Sequence, residues 1–261
     1  MELGLRDKVV IVTGGARGIG AAIASGFVEE GANVIIGDTA VDLTGELAAK
    51  MKGVAKIMLV ITDVTKKSDA KELVAKTMNE FGKIDILVNN AGGNVRKRAL
   101  DVTWDDWNLV LDTNLRGPFF VAQSVARKMI PRRYGRIINI GSVTAVFGYS
   151  GLAPYCASRG GIKQLTMSLA DDWGIYGITV NCLAPGWFKT EQTAVLYENK
   201  EWVAYITDRI PLRRPGAPND LDGAIVFLAS DASEYVTGQT WFVDGGISTG
   251  ATRAILDSRY E

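Results

Sequence analysis

Histidine is absent from the 261-residue chain. That removes imidazole metal sites and every Ser–His or Cys–His nucleophile pair, so any proton transfer must use another side chain. Cysteine is nearly absent too. Cys156 and Cys182 have no CxxC spacing, which excludes a thiolate zinc site and a disulfide framework and leaves two reduced, buried thiols as the expectation. No metal site is predicted. Charge of one sign is not in excess: 29 Lys plus Arg balance 29 Asp plus Glu. The balance argues against nucleic acid or an anionic membrane as the main partner, since both favour a basic surplus. No apolar run approaches the roughly 18 residues of a membrane span. Met1–Lys8 lacks the apolar segment and cleavage site of a secretion signal, so a soluble, cytoplasmic protein is expected. Only seven prolines occur, and no Pro- or Ser-rich linker, repeat or low-complexity tract divides the chain. One domain over residues 1–261 is predicted, a length that α/β folds often use as a single unit.

What is present is an alternation. Short apolar runs at Lys8–Thr13, Asn33–Asp38, Ala55–Ile61, Ile84–Asn90, Arg136–Gly141, Thr179–Ala184 and Thr240–Val243 read as strands. Helical patterns fall between them near 18–30, 42–51, 66–81, 104–130, 155–173 and 220–230. Strands apolar on both faces that alternate with helices predict a seven-stranded parallel sheet covered on both sides, a doubly wound Rossmann-type α/β domain. One interval departs from the rhythm. Residues 186–219 add a helical stretch over Thr190–Arg209 and a Pro-rich turn, Pro211–Pro218. Insertions at the carboxyl ends of such strands sit over the ligand crevice, so Trp187, Phe188, Tyr197, Trp202 and Tyr205 belong either to a helix core or to a substrate lid.

Thr13-Gly14-Gly15-Ala16-Arg17-Gly18-Ile19-Gly20 follows the first strand and opens a helix. Glycines suit a turn where a pyrophosphate must approach bare amides at a helix N-terminus. The strand–turn–helix setting raises this string above an ordinary glycine-rich turn. The second strand ends at Asp38, where a carboxylate accepts hydrogen bonds from the adenosine ribose hydroxyls and repels a 2′-phosphate. Arg17 pulls the other way, because a guanidinium holds a 2′-phosphate. The carboxylate weighs more, and NAD is predicted over NADP.

Further along stand Asn89-Asn90-Ala91-Gly92, Asn114, Ser142, Tyr155-Cys156-Ala157-Ser158-Arg159, and Pro185-Gly186 with Thr190. With the TGxxxGxG turn, their order and spacing over residues 6–247 resemble the short-chain dehydrogenase/reductase family, most of all its sugar-acid and polyol members. The resemblance implies that Gly14, Gly18 and Gly20 (with Ile19) hold a pyrophosphate and that Asp63 and Val64 hold the adenine. It implies that Asn90, Ala91 and Gly92 line the ribose, and that Pro185, Gly186 and Thr190 orient the nicotinamide. Asn114, Ser142 and Tyr155 match three of the family's four catalytic positions. The fourth is a lysine in the family and Arg159 here.

A free phenol titrates near pH 10, so a tyrosinate base working near neutrality needs roughly 3–4 kcal/mol of preferential stabilisation of the anion. A cation one helical turn away contributes to it. Arginine keeps the charge of lysine, but it is longer, planar and does not release its own proton. The expectation is an active, slowed oxidoreductase that transfers a hydride between NAD(H) and a small-molecule secondary alcohol or ketone. Arg159 would bind the nicotinamide ribose as well as support Tyr155, and Ser142 would hold the substrate oxygen. Arg96, in the run Arg96-Lys97-Arg98, is a candidate for gripping a substrate carboxylate, and Trp187 for contacting the substrate; Arg213 and Arg214 are weaker candidates. The resemblance also implies a homotetramer built on Trp104–Ile130, Pro154–Trp173 and Gln239–Gly246, with residues 247–261 either covering a neighbour's crevice or frayed. Two alternatives stay open: a silent NAD-binding regulatory or structural protein, favoured by Arg159, and an NADPH-dependent 3-oxoacyl-carrier-protein reductase, favoured by Arg17 and the basic run.

Overall fold

The computed structural model describes residues 3–40, 56–190 and 193–250. Seven strands form one all-parallel sheet in the order β3-β2-β1-β4-β5-β6-β7. They are β1 Val9–Thr13, β2 Asn33–Asp38, β3 Ile57–Ile61, β4 Ile86–Asn89, β5 Gly135–Ile140, β6 Ile178–Pro185 and β7 Thr240–Val243. Because alternate side chains leave a strand on opposite faces, each central strand feeds two cores. Val10, Val12, Ile36, Val88 and Ile138 pack against Ile23 and Phe27 of α1 (Gly18–Glu29) and Ile225 and Leu228 of α8 (Asp222–Ala229). Val9, Ile11, Ile35, Leu87 and Ile137 pack on the other face. There they meet Leu73 of α2 (Lys67–Phe81), Val121, Val125 and Met129 of α4 (Gly117–Met129), and Leu169 of α5 (Ala153–Gly174).

The outer strands also feed both sides, with Ile57, Leu59, Trp241 and Val243 packed against one core and Met58 and Val60 in the other, though Ile61 at the end of β3 is half exposed. Two expectations need correction. Cys156 is half-buried rather than buried; Cys182 is fully buried, and burial pushes its thiol up to about 11. The helical stretch expected over Thr190–Arg209 is two helices, α6 (Ala194–Glu198) and α7 (Lys200–Arg209). Asn199 separates them in extended geometry, and its side-chain oxygen accepts the Trp202 amide, so an N-cap interrupts what the apolar spacing reads as continuous. The expected helix at 42–51 and the tail beyond residue 250 lie outside the described residues.

The long helical pattern at 104–130 also carries a local surprise. Between α3 (Trp104–Leu111) and α4 the backbone makes one π turn, Asp112–Arg116, closed by the Gly117 amide on the Asp112 carbonyl. The wider turn sets Asn114 facing inward, fully buried. Such turns recur at functional sites.

At the opposite, amino-terminal edge of the sheet, Asp85 is buried and accepts from the Val9 amide at 2.9 Å, Arg132 Nη2 at 2.6 Å and Lys83 Nζ at 3.0 Å. Burial alone would raise its pKa, but these donors outweigh it and hold the carboxyl below its ordinary value. A folded-state pKa below the unfolded one stabilises the protein above about pH 4, and the gain disappears as pH falls through the folded value. Asp85→Asn is therefore expected to cost about 2–4 kcal/mol at pH 7 by urea unfolding. The gap to wild type should narrow below about pH 4; a gap independent of pH would contradict the assignment.

Candidate active site

A cleft of about 790 Å³ opens at the carboxyl ends of the strands, where β1 and β4 diverge. This is the switch point at which doubly wound sheets bind ligands. Gly14, Arg17, Gly18, Ile19 and Gly20 form one wall. A Cβ at Gly20 would overlap the Gly14 carbonyl and the Asn90 side chain, so only glycine permits this turn. The start of α1 carries no side-chain cap and no acidic residue in its first turn, which leaves its amides and positive dipole end open to an anion.

Asp38 closes the far end of this wall. It is buried, and its two oxygens accept from the Ala16 amide at 2.9 Å and the Ala40 amide at 3.0 Å. A carboxylate has about four acceptor sites, so hydroxyl donors can still be received. Next to it, Asp63 accepts from the Thr65 hydroxyl at 2.7 Å and the Thr65 amide at 3.0 Å, which hold its carboxyl below the usual range despite partial burial. Val64 lines the cleft beside it.

Asn90, Ala91 and Gly92 form the facing turn. Asn90 Nδ2 donates to the carbonyls of Thr13 at 3.1 Å and Gly14 at 2.8 Å, and Thr13 Oγ1 accepts the amides of Asn90 and Ala91, each at 3.1 Å. Asn114 does not itself line the cleft. Its Oδ1 accepts the Gly93 amide and its Nδ2 donates to the Gly93 carbonyl, both at 2.8 Å, and also to Ser158 Oγ at 3.1 Å. One amide thus ties the 92–93 loop to α5.

Ser142, just past β5, and Tyr155, in the first turn of α5, reach the cleft together. Ser142 Oγ accepts the Thr144 amide, which leaves its hydroxyl proton free to donate outward. Arg159 is buried one turn along α5, its Cζ 4.8 Å from the centroid of the Tyr155 ring. Nη1 donates to the Ile140 carbonyl at 2.7 Å, Nε is buried without a partner among the described residues, and Nη2 lies against Gly92, where an added Cβ would come within 2.7 Å. Pro185, Gly186, Trp187 and Thr190 line the opposite side, with Thr190 and Thr193 bonded to each other.

The basic residues separate cleanly. Arg96 lines the cleft over the ring of Tyr149, whereas Lys97 pairs with Asp106, Arg98 with Asp101, Arg213 with Asp208 and Arg214 with Asp220. Sequence reasoning missed Tyr149, Ser158 and the role of Thr13. Thr13 alone left a signal, as a hydroxyl ending an otherwise apolar strand.

The family model for enoyl-(acyl carrier protein) reductase matches residues 14–248. Gluconate 5-dehydrogenase of Gluconobacter oxydans (strain 621H) is 41% identical over 91% of this chain and 93% of its own. The 3-oxoacyl-(acyl-carrier-protein) reductase of Chlamydia pneumoniae is 40% identical over 95% of this chain and 100% of its own. A gluconate 5-dehydrogenase from Burkholderia cenocepacia J2315, solved in complex with NADP and tartrate, superposes with a TM-score of 0.89 at 38% identity, covering 95% of this chain and 98% of that one. This chain belongs to the short-chain dehydrogenase/reductase family.

Short-chain dehydrogenase/reductases work with a nicotinamide dinucleotide, and the residues present fit one. The side-chain-free cradle at Gly20, the uncapped helix start, the spare acceptor capacity of Asp38 and the unpartnered Arg159 Nε all face or adjoin the same cleft. Among the described residues no helix is long and apolar enough to cross a membrane, and no group of three or more His, Cys, Asp or Glu could hold a metal. Gly20→Ala is expected to weaken binding of the reduced dinucleotide at least ~100-fold by calorimetric titration and to lower Tm, since the turn must shift to admit the methyl. Unchanged affinity would exclude this turn as the phosphate cradle.

Proposed function

We propose that this protein is an NAD-dependent dehydrogenase/reductase that interconverts a secondary alcohol and a ketone on a polyol, sugar or sugar acid. The observation that carries the reading is the buried Arg159 guanidinium against the Tyr155 ring, in a cleft that also holds Ser142 and the glycine turn. The names of the Gluconobacter relative and of the Burkholderia structure support a sugar-acid substrate.

When bound, the dinucleotide supplies the hydride acceptor or donor. In the oxidising direction Ser142 donates a hydrogen bond to the substrate oxygen, and Tyr155, acting as the phenolate, takes the hydroxyl proton on Oη and becomes the neutral phenol. The Arg159 guanidinium, its Cζ 4.8 Å from the centre of the Tyr155 ring, supplies the positive charge beside it. The resemblance has lysine where Arg159 stands. The guanidinium keeps the charge, while its bond to Ile140 fixes one end of the fork. Asn114 acts through position, holding the loop that carries Gly92 against α5.

NAD preference rests on Asp38, a buried carboxylate at the end of β2 that a 2′-phosphate would approach at a cost of several kcal/mol. The NADP held by the Burkholderia relative weighs on the other side, as does exposed Arg17 at the cleft wall. Two free thiols fit a reducing, cytoplasmic setting. Trp104, Trp107 and Leu109 on α3, Phe120 on α4 and Met167 on α5 are exposed apolar side chains on the helices expected to pair, which supports a homotetramer. Identity to the Chlamydia relative favours a second reading, reduction of 3-oxoacyl thioesters with NADPH.

Two measurements test the proposal. Tyr155→Phe is expected to lower kcat by about 10²–10⁴-fold, and Arg159→Lys to raise it several-fold. Wild-type turnover in Tyr155→Phe would overturn the catalytic assignment, and an unchanged or slower Arg159→Lys would show that arginine does not limit the rate. Second, wild type should prefer NADH, and Asp38→Asn should raise the NADPH/NADH ratio of kcat/KM at least ~10-fold. Preference of wild type for NADPH together with 3-oxoacyl thioesters would favour the second reading instead.

A further inference from the structure

Four aromatic rings on the lid side of the cleft hold one another. Tyr149 contacts Trp187 edge-on with centroids 5.1 Å apart, Trp187 contacts Trp202 at 5.4 Å and 89°, and Trp202 contacts Tyr197 at 5.4 Å and 86°. Trp202 Nε1 donates to Tyr149 Oη at 3.2 Å, so the pole of α7 is tied to the loop after β5. Edge-to-face contacts of this kind fix ring orientation as well as bury area. Trp187, Tyr197 and Trp202 line the same cleft as Tyr155.

Within this cluster the polar atoms are treated unequally. The Trp202 indole N–H is received by Tyr149 Oη, but Tyr197 Oη is buried and has no hydrogen-bond partner among the described residues. A buried phenol normally finds a partner, because leaving it without one destabilises the fold. Burial alone pushes this phenol up to about 12, so at neutral pH it keeps its proton and can both donate and accept. A phenylalanine would fill the same space and make the same ring contact with Trp202.

We infer that Tyr197 is a specificity-determining residue, whose phenol hydrogen-bonds a chain hydroxyl of a polyhydroxylated substrate lying against the Trp187–Trp202 wall. The inference rests on the sugar-acid or polyol reading above and deepens it. Apolar ring faces suit the C–H face of such a molecule, and one precisely placed polar group among them confers selectivity. Arg96, over the outer face of Tyr149, is the separate contact for a carboxylate.

The test is a calorimetric titration of the NADH-loaded protein with gluconate and with a neutral hexitol, neither of which reacts with the reduced cofactor. Tyr197→Phe is expected to raise Kd about 10-fold for both ligands, to leave Tm unchanged or higher, and in turnover assays to act on KM rather than kcat. Arg96→Gln is expected to weaken gluconate alone. Equal Kd values for wild type and Tyr197→Phe would overturn the inference while leaving the proposed function intact. So would a fall of Tm by several degrees that accounts for the lost binding, since that marks a structural phenol. If the wild-type protein takes neither ligand, the sugar-acid reading falls and this inference with it.

Discussion

Four hydrogen bonds between two turns set the geometry on which the rest of the molecule relies. At the switch point the chain leaves β1 toward one face of the sheet and β4 toward the other, so the strand ends would splay and their peptide groups would lose partners. Asn90 Nδ2 bridges the carbonyls of Thr13 and Gly14, while Thr13 Oγ1 gathers the amides of Asn90 and Ala91. The glycine turn and the facing turn become one rigid lip. Gly20 must lack a side chain partly because the Asn90 amide occupies that space. The crevice is therefore pre-formed by backbone and side-chain bonds that a ligand does not need to supply.

The far end of the same lip is built around a charge. Among the described residues, buried Arg159 has the Ile140 carbonyl as acceptor for Nη1 and nothing for Nε. Isolated burial of a cation is costly, so the fold holds it in place by other means: the helix that carries it, the Ile140 carbonyl, and the Asn114 clamp that brings Gly92 against the guanidinium. The group in ring contact with this buried charge is the Tyr155 phenol. The same packing that holds the guanidinium in place therefore also fixes where the proposed chemistry finds its positive charge.

Much of this was legible in the sequence, for identifiable reasons. β2 and β7 fall where their apolar runs end, since turn residues bound them on both sides. The glycine turn and Asp38 stand out in the sequence because a phosphate cradle of backbone amides and a strand-end carboxylate would require particular residue types at fixed spacing, and the structure brings both to one cleft. The π turn at Asp112–Arg116 could not be read, because the patterns before and after it are each helical and the widened turn shows only in which side chain, Asn114, becomes buried. Nor could the break at Asn199, whose capping role depends on where the following amide of Trp202 lies. Composition shows that a strand is apolar; strand order, which comes from tertiary packing, decides which strands are at the edges.

The two halves of the site differ in the same way. The dinucleotide half uses peptide groups at strand ends, and these are constrained by the sheet itself, so residue type is nearly dictated. The aromatic half uses side chains outside the sheet, on two short helices and on the loops after β5 and β6, held by ring–ring contacts that many aromatic sequences would satisfy. An aromatic cluster read from sequence is therefore ambiguous between core and binding wall. What distinguishes them is polar accounting: the Trp202 indole N–H is received by Tyr149 Oη, whereas Tyr197 Oη is buried with no partner among the described residues. Tyr197 is the residue at which that accounting does not close among the described residues, and it is there that the inferred contact with a polyhydroxylated molecule would complete it.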